Sequence, residues 1–135
     1  MTLQFLSFEP LDDSIRLEYQ QDWREVYSRS VNEKISEWTY LDFDWHTFTW
    51  GETPHLEMDS AWNAYRSKDP TNLILLDNID GGLAYKCNGP NLPDFSKKGL
   101  DVYICTPDMK WTMVFTHEDD FVGSPFFCTR KMANP

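Results

Sequence analysis

Leu73-Ile74-Leu75-Leu76-Asp77-Asn78-Ile79-Asp80-Gly81-Gly82-Leu83-Ala84-Tyr85-Lys86-Cys87 spells out a hairpin. Its first four residues form an unbroken apolar run that suits a central strand. The Asn-Ile-Asp-Gly-Gly cluster supplies the turn, because Asn, Asp and Gly tolerate the left-handed backbone that tight connections need. Leu83 to Cys87 then provides the return strand. Further along, Asp101-Val102-Tyr103-Ile104-Cys105 and Trp111-Thr112-Met113-Val114-Phe115-Thr116 flank Thr106-Pro107-Asp108-Met109-Lys110 as a second hairpin. Residues 88–99, with Pro90, Pro93 and Gly99, read as the irregular connection between the two.

Toward the N-terminus the period changes. Pro10-Leu11-Asp12-Asp13-Ser14 reads as a turn that supplies a helix N-cap. Ile15, Tyr19, Trp23 and Val26 with Tyr27 follow at three- and four-residue steps, the spacing of an amphipathic helix. Residues 32–38 extend the pattern as a second, shorter helix. From Tyr40, Leu41, Phe43 and Trp45 alternate with Asp42, Asp44 and His46, after which Phe48 and Trp50 fall on the opposite parity. That is a strand with a bulge near Thr47. Met58, Ala61, Trp62 and Tyr65 outline another amphipathic helix, stopped at Asp69-Pro70.

Helix, strand, helix and two hairpins, in that order, predict an α+β fold. The expected architecture is one domain over residues 1–135, with an antiparallel sheet of about five strands and two or three helices mostly on one face.

The composition sets bounds on function. The chain has 22 Asp and Glu against 12 Lys and Arg, a formal charge of −10, and 16% of its residues are aromatic. Acid alone describes a solvated chain, but so many rings bury enough area to drive folding. A compact domain with a negative surface repels nucleic acid and anionic lipid and attracts basic proteins. No apolar run approaches the ~20 residues of a membrane span. The N-terminal residues lack the basic and apolar regions of a secretory leader, so the expected location is cytoplasmic. Cys87, Cys105 and Cys128 are odd in number and widely spaced, which fits reduced thiols packed as small hydrophobes. Cys128, near Arg130 and Lys131, is the one that basic neighbours could activate.

Two groups of residues carry chemistry. Thr116-His117-Glu118-Asp119-Asp120 ends the last predicted strand, where loops on a rigid sheet often carry function. With His46 on the first sheet strand, His117 and Glu118 form the candidate polar site of a small metal-dependent enzyme or ligand-binding domain. Adjacent strand residues point to opposite faces, however, and no His-Glu-x-x-His helix or Cys set completes a metal site. No metal or cofactor is assigned. No nucleophile elbow surrounds Ser60, Ser96 or Ser124, and no catalytic residue is assigned either. The second group is acidic and aromatic: Asp42, Asp44, Trp45, Trp50 and Trp62, with Asp77, Asp80, Asp119 and Asp120 at predicted loop tips. Rings bordered by carboxylates have the composition of an aromatic anchor with an electrostatic rim.

Trp45-His46-Thr47-Phe48, Trp111-Thr112-Met113-Val114-Phe115-Thr116-His117-Glu118 and Gly123-Ser124-Pro125-Phe126-Phe127 resemble a family of small bacterial proteins of unknown function. Its members carry Trp-His-x-Phe, then Trp-Thr-x-Val-x-Thr-His-Glu, then Gly-Pro-Tyr-Phe. This chain departs at the end, where Ser124 is inserted and Phe126 replaces the Tyr. The resemblance spans roughly residues 40–127 and implies a cytoplasmic α+β domain in which His46 and His117 are neighbours, with no activity to carry over. In size and composition the chain is also similar to the immunity proteins of bacterial toxin systems.

The expected function is therefore that of an immunity-type binding protein. It would neutralise a cognate toxin, a basic nuclease domain, by occluding it with an acidic, aromatic surface. The alternative is the enzyme or ligand-binding domain built on His46, His117 and Glu118.

Overall fold

A computed structural model describes residues 7–27, 53–77, 83–95, 101–116 and 125–134. In chain order these residues form β1 (Ser7–Pro10), α1 (Asp13–Tyr27), β2 (Leu56–Glu57), α2 (Met58–Arg66), β3 (Leu73–Asp77), β4 (Leu83–Asn88), β5 (Val102–Cys105), β6 (Trp111–Phe115), β7 (Phe126–Thr129) and α3 (Arg130–Ala133). The predicted helix over residues 32–38, the strand over 40–50 and the turn over 78–82 lie outside the described residues.

The strands make one sheet in the order β1-β4-β3-β5-β6-β7-β2, and every neighbouring pair is antiparallel. The α+β class and both predicted hairpins are present, but the sheet has seven strands among the described residues, against the five or so expected. The additions β1, β2 and β7 have two to four residues each. β5 is no longer than β1 or β7, but it has a hairpin partner across a short turn, whereas β1, β2 and β7 each pair with a strand farther away in the chain.

The helices also sit differently from the expectation. Alternation along β3 sends Ile74 and Leu76 to one face and Leu73 and Leu75 to the other. The first face packs against Trp23, Val26 and Tyr27 of α1 and against Met132 of α3, and the second against Ala61 and Tyr65 of α2. The two long helices thus cover opposite faces. Such a sheet is buried on both sides, which is why all four residues of β5 and all five of β6 are buried.

Local chemistry sets the helix ends. Asp12 caps α1: its Oδ1 accepts from the Ile15 backbone N–H at 3.0 Å and from the Ser14 hydroxyl at 2.7 Å. At the far end, the Val26 carbonyl accepts from Asn134 Nδ2 at 3.0 Å and the Tyr27 carbonyl from the Thr53 hydroxyl at 3.2 Å. Two orphan helix carbonyls are thereby satisfied by the C-terminal segment and by the approach to β2. Ile15, placed on the apolar stripe by its spacing, instead lies at the edge of the buried face, 37% exposed.

Candidate functional site

Antiparallel pairing brings distant carboxylates to one end of the sheet. Asp77, the last residue of β3, pairs with Leu83 at the start of β4 and with Val102 at the start of β5. Val102 in turn pairs with Phe115 at the end of β6. The chain leaves β3 toward Asp80 and leaves β6 toward His117 at this same end of the sheet, with the start of β5 between the two strands. Asp77 is half-buried there, and burial first, then the Asp101 charge, hold its carboxyl above the ordinary carboxylate value.

Trp62 projects from α2 onto the second face of the sheet. Its ring is half-buried, 5.5 Å from Phe115 and 5.9 Å from Tyr65, and the Arg66 guanidinium lies 5.2 Å from its centroid. It is a rim ring braced by the core, with a cation on it. Asp42, Asp44, Trp45, Trp50, Asp80, Asp119 and Asp120 lie outside the described residues, as do His46, His117 and Glu118. Among the described residues no three His, Cys, Asp or Glu side chains converge in a way that could hold a metal ion. His55 bridges locally: Nδ1 meets the Thr53 carbonyl and Nε2 the Glu57 carboxylate, each at 2.8 Å.

The cysteines are structural. All three are free and buried, and burial pushes each thiol upward, Cys128 to about 12. Cys128 Sγ also donates to the Pro54 carbonyl at 3.2 Å. Its basic neighbours do not offset that burial, so it is not an activated thiol.

A second feature lies at the opposite end of the sheet. There the start of β3 runs beside the end of β5, Ile74 opposite Cys105, so the loop after α2 faces the β5–β6 turn across an open groove of about 480 Å³. On one rim, Asp69 Oδ1 accepts from the Thr71 N–H at 2.9 Å and the Thr71 hydroxyl at 2.8 Å. Asn72 adopts φ 56°, and its backbone N–H donates to Asn88 Oδ1 at 2.7 Å. On the other rim, Thr106 donates through its hydroxyl to Asp108 Oδ1 at 2.8 Å and accepts from the Lys110 N–H at 2.8 Å. The same turn holds Met109 at φ 58°, with its carbonyl accepting from the buried Tyr27 hydroxyl at 2.8 Å. These bonds to the ionised form, the backbone one first for Asp69 and the Thr106 hydroxyl first for Asp108, hold both carboxyls below their ordinary value.

Trp111 lines this groove. Its ring stacks on Phe127 at 5.7 Å and meets Tyr65 edge-on at 5.8 Å. In the sequence these groove residues read only as a helix stop and a hairpin turn. Nothing in the sequence joins them: only the pairing of β3 with β5 brings the two Asp- and Thr-bearing turns to one sheet end.

The family model described as Domain of unknown function (DUF4275) matches residues 13–127. The chain belongs to this family. The DUF4275 match begins at the first residue of α1 and ends within β7, so it takes in both helical faces and the groove. No curated protein and no solved structure matches the chain. No helix among the described residues is long and apolar enough to cross a membrane.

Proposed function

We propose that this DUF4275 chain is an immunity-type binding protein. It neutralises a cognate bacterial toxin, a basic nuclease domain, by covering it. The observation that carries this reading is the acidic end of the sheet. Asp101 directly precedes Val102, the strand partner of Asp77, and its charge adds to burial in disfavouring the ionised Asp77; two more acid-bearing segments of the chain leave from strand ends at this end of the sheet. A folded chain of charge −10 gains nothing in stability by gathering carboxylates. A basic partner relieves that repulsion and is steered in by it.

In this reading Asp77 and Asp80, with Asp119 and Asp120, supply the electrostatic rim. Asp42, Asp44, Trp45 and Trp50 are its further proposed contact residues. Trp62, braced against Phe115, offers a ring that need not be ordered on binding. This mechanism needs no chemistry by the chain. The test is co-expression with a basic toxin domain encoded beside its gene. A stable complex and loss of toxicity are expected, with an association rate that falls steeply as salt is added. A toxin that still kills and forms no complex removes the reading.

A further inference from the structure

We propose that the groove between the loop after α2 and the β5–β6 turn is a binding site for a neutral, polyhydroxylated small molecule of sugar or cyclitol type. It lies at the end of the sheet away from Asp77 and is independent of the toxin-binding reading.

Three observations converge on it. The first is size and rigidity. A cavity of about 480 Å³ falls within the ~300–1,000 Å³ typical of small-molecule sites. Its rims are held in place before any ligand arrives, by Asn88 and Gly89 behind one loop and by Tyr27 behind the other. Little ordering is left for binding to oppose.

The second is Trp111. The residue is only 6% exposed and lines the groove, yet its indole N–H makes no hydrogen bond among the described residues and is not sealed from solvent. An indole N–H in an otherwise buried ring normally finds an acceptor. A ligand oxygen in the groove supplies one.

The third is the balance of the polar groups. Asp69 and Asp108 each spend Oδ1 inside their own turns, which leaves Oδ2 to accept. Lys110 and the Asn72 amide donate beside them, with Lys110 Nζ 3.7 Å from Asp108 Oδ2. An anion meets two carboxylates. A cation meets the indole N–H and a lysine already placed at Asp108. A hydrocarbon leaves the polar rims unpaired. A hydroxyl both donates and accepts, and a ring of hydroxyls matches carboxylate, amide, ammonium and indole together.

The six Trp indole N–H signals of the 15N-labelled protein provide the readout, Trp111 being assigned by its loss in Trp111→Phe. D-Glucose, D-galactose, D-mannose and myo-inositol are titrated separately. The expected result is a saturable shift of the Trp111 indole signal with at least one probe, at a dissociation constant on the order of 1 mM, the weak end of small-ligand affinity. Asp69→Asn and Asp108→Asn should each weaken that binding about tenfold, since each removes a hydrogen bond to a charged acceptor. An otherwise unchanged amide spectrum shows that each variant is folded. In Trp111→Phe, the backbone amides of Asn72 and Lys110 replace the indole as reporters, and the shift should be weaker. A Trp111 signal that moves with none of the four probes overturns the proposal. So does one that moves only with N-acetyl-arginine amide, which would make the groove a seat for a basic side chain.

Discussion

Thr112 carries two buried hydrogen bonds at once. Its hydroxyl donates to the Ile104 carbonyl at 2.9 Å and accepts from the Trp23 indole at 2.9 Å, tying α1 to the centre of the sheet. Trp23 is fully buried and meets Tyr103 edge-on at 4.9 Å, so no water can replace the lost acceptor. Thr112→Val keeps the shape and strands the indole, which should cost about 1–3 kcal/mol in urea unfolding, whereas Thr112→Ser should keep most of the stability. Gly89 is governed by space instead. A Cβ there would lie 2.6 Å from the backbone of Asn91 and 2.7 Å from Pro70 Cβ, while the Gly89 N–H already donates to the Pro70 carbonyl. Gly89→Ala should therefore destabilise by roughly 1–3 kcal/mol, as overpacked sites do. It should also shift the amide signals of Thr71 and Asn72, which a purely local strain would leave unmoved.

Among the elements, α1 was legible in its body: the 10–14 turn supplies its cap, through Asp12, and Trp23, Val26 and Tyr27 lie on the buried stripe, although Ile15 does not. Its cap predicts a pH dependence. Hydrogen bonds from the Ile15 N–H and then the Ser14 hydroxyl lower the Asp12 carboxyl from its ordinary 3.8. The resulting stabilisation is full above 3.8 and is lost as pH falls through the lower folded value. Asp12→Asn, an equally good cap without the titration, should match the native protein in thermal stability at neutral pH and lose less between pH 4 and pH 2, on the order of the cap's own titration range. Equal acid sensitivity of the two proteins would show that Asp12 does not titrate as a cap. The β3–β4 and β5–β6 hairpins were legible for the same reason as α1: each has a local period and a local turn. Partner order was not. That β5 lies against β3, and that β7 extends the sheet beyond β6, depends on contacts between residues far apart in the chain. The groove rests on the first of those pairings, so Asp69 and Asp108 looked like unrelated turn residues. The acidic end was half legible: Asp77 stood out at a predicted loop tip, but its approach to the start of β5, beside Asp101, did not.

For the whole molecule, net charge and fold stability oppose each other at the acidic end, and Asp77 measures the conflict. Its folded carboxyl is raised by burial and by Asp101, so folding favours the protonated form. That contribution is full below the ordinary value of 3.8 and is lost as pH rises through the folded value. At neutral pH the native protein therefore holds an ionised Asp77 against desolvation and against a like charge. Asp77→Asn removes both costs. The variant should melt at a higher temperature than the native chain at pH 7, with the difference shrinking toward pH 3. On the binding-protein reading it should also associate with its basic partner severalfold more slowly at low salt, the gap closing as salt screens the field. The two measurements separate two roles. A merely structural carboxylate would give the stability gain with an unchanged association rate. An Asp77→Asn protein no more stable at pH 7 than at pH 3, relative to native, would mean that this end of the sheet holds no stored repulsion for a partner to release.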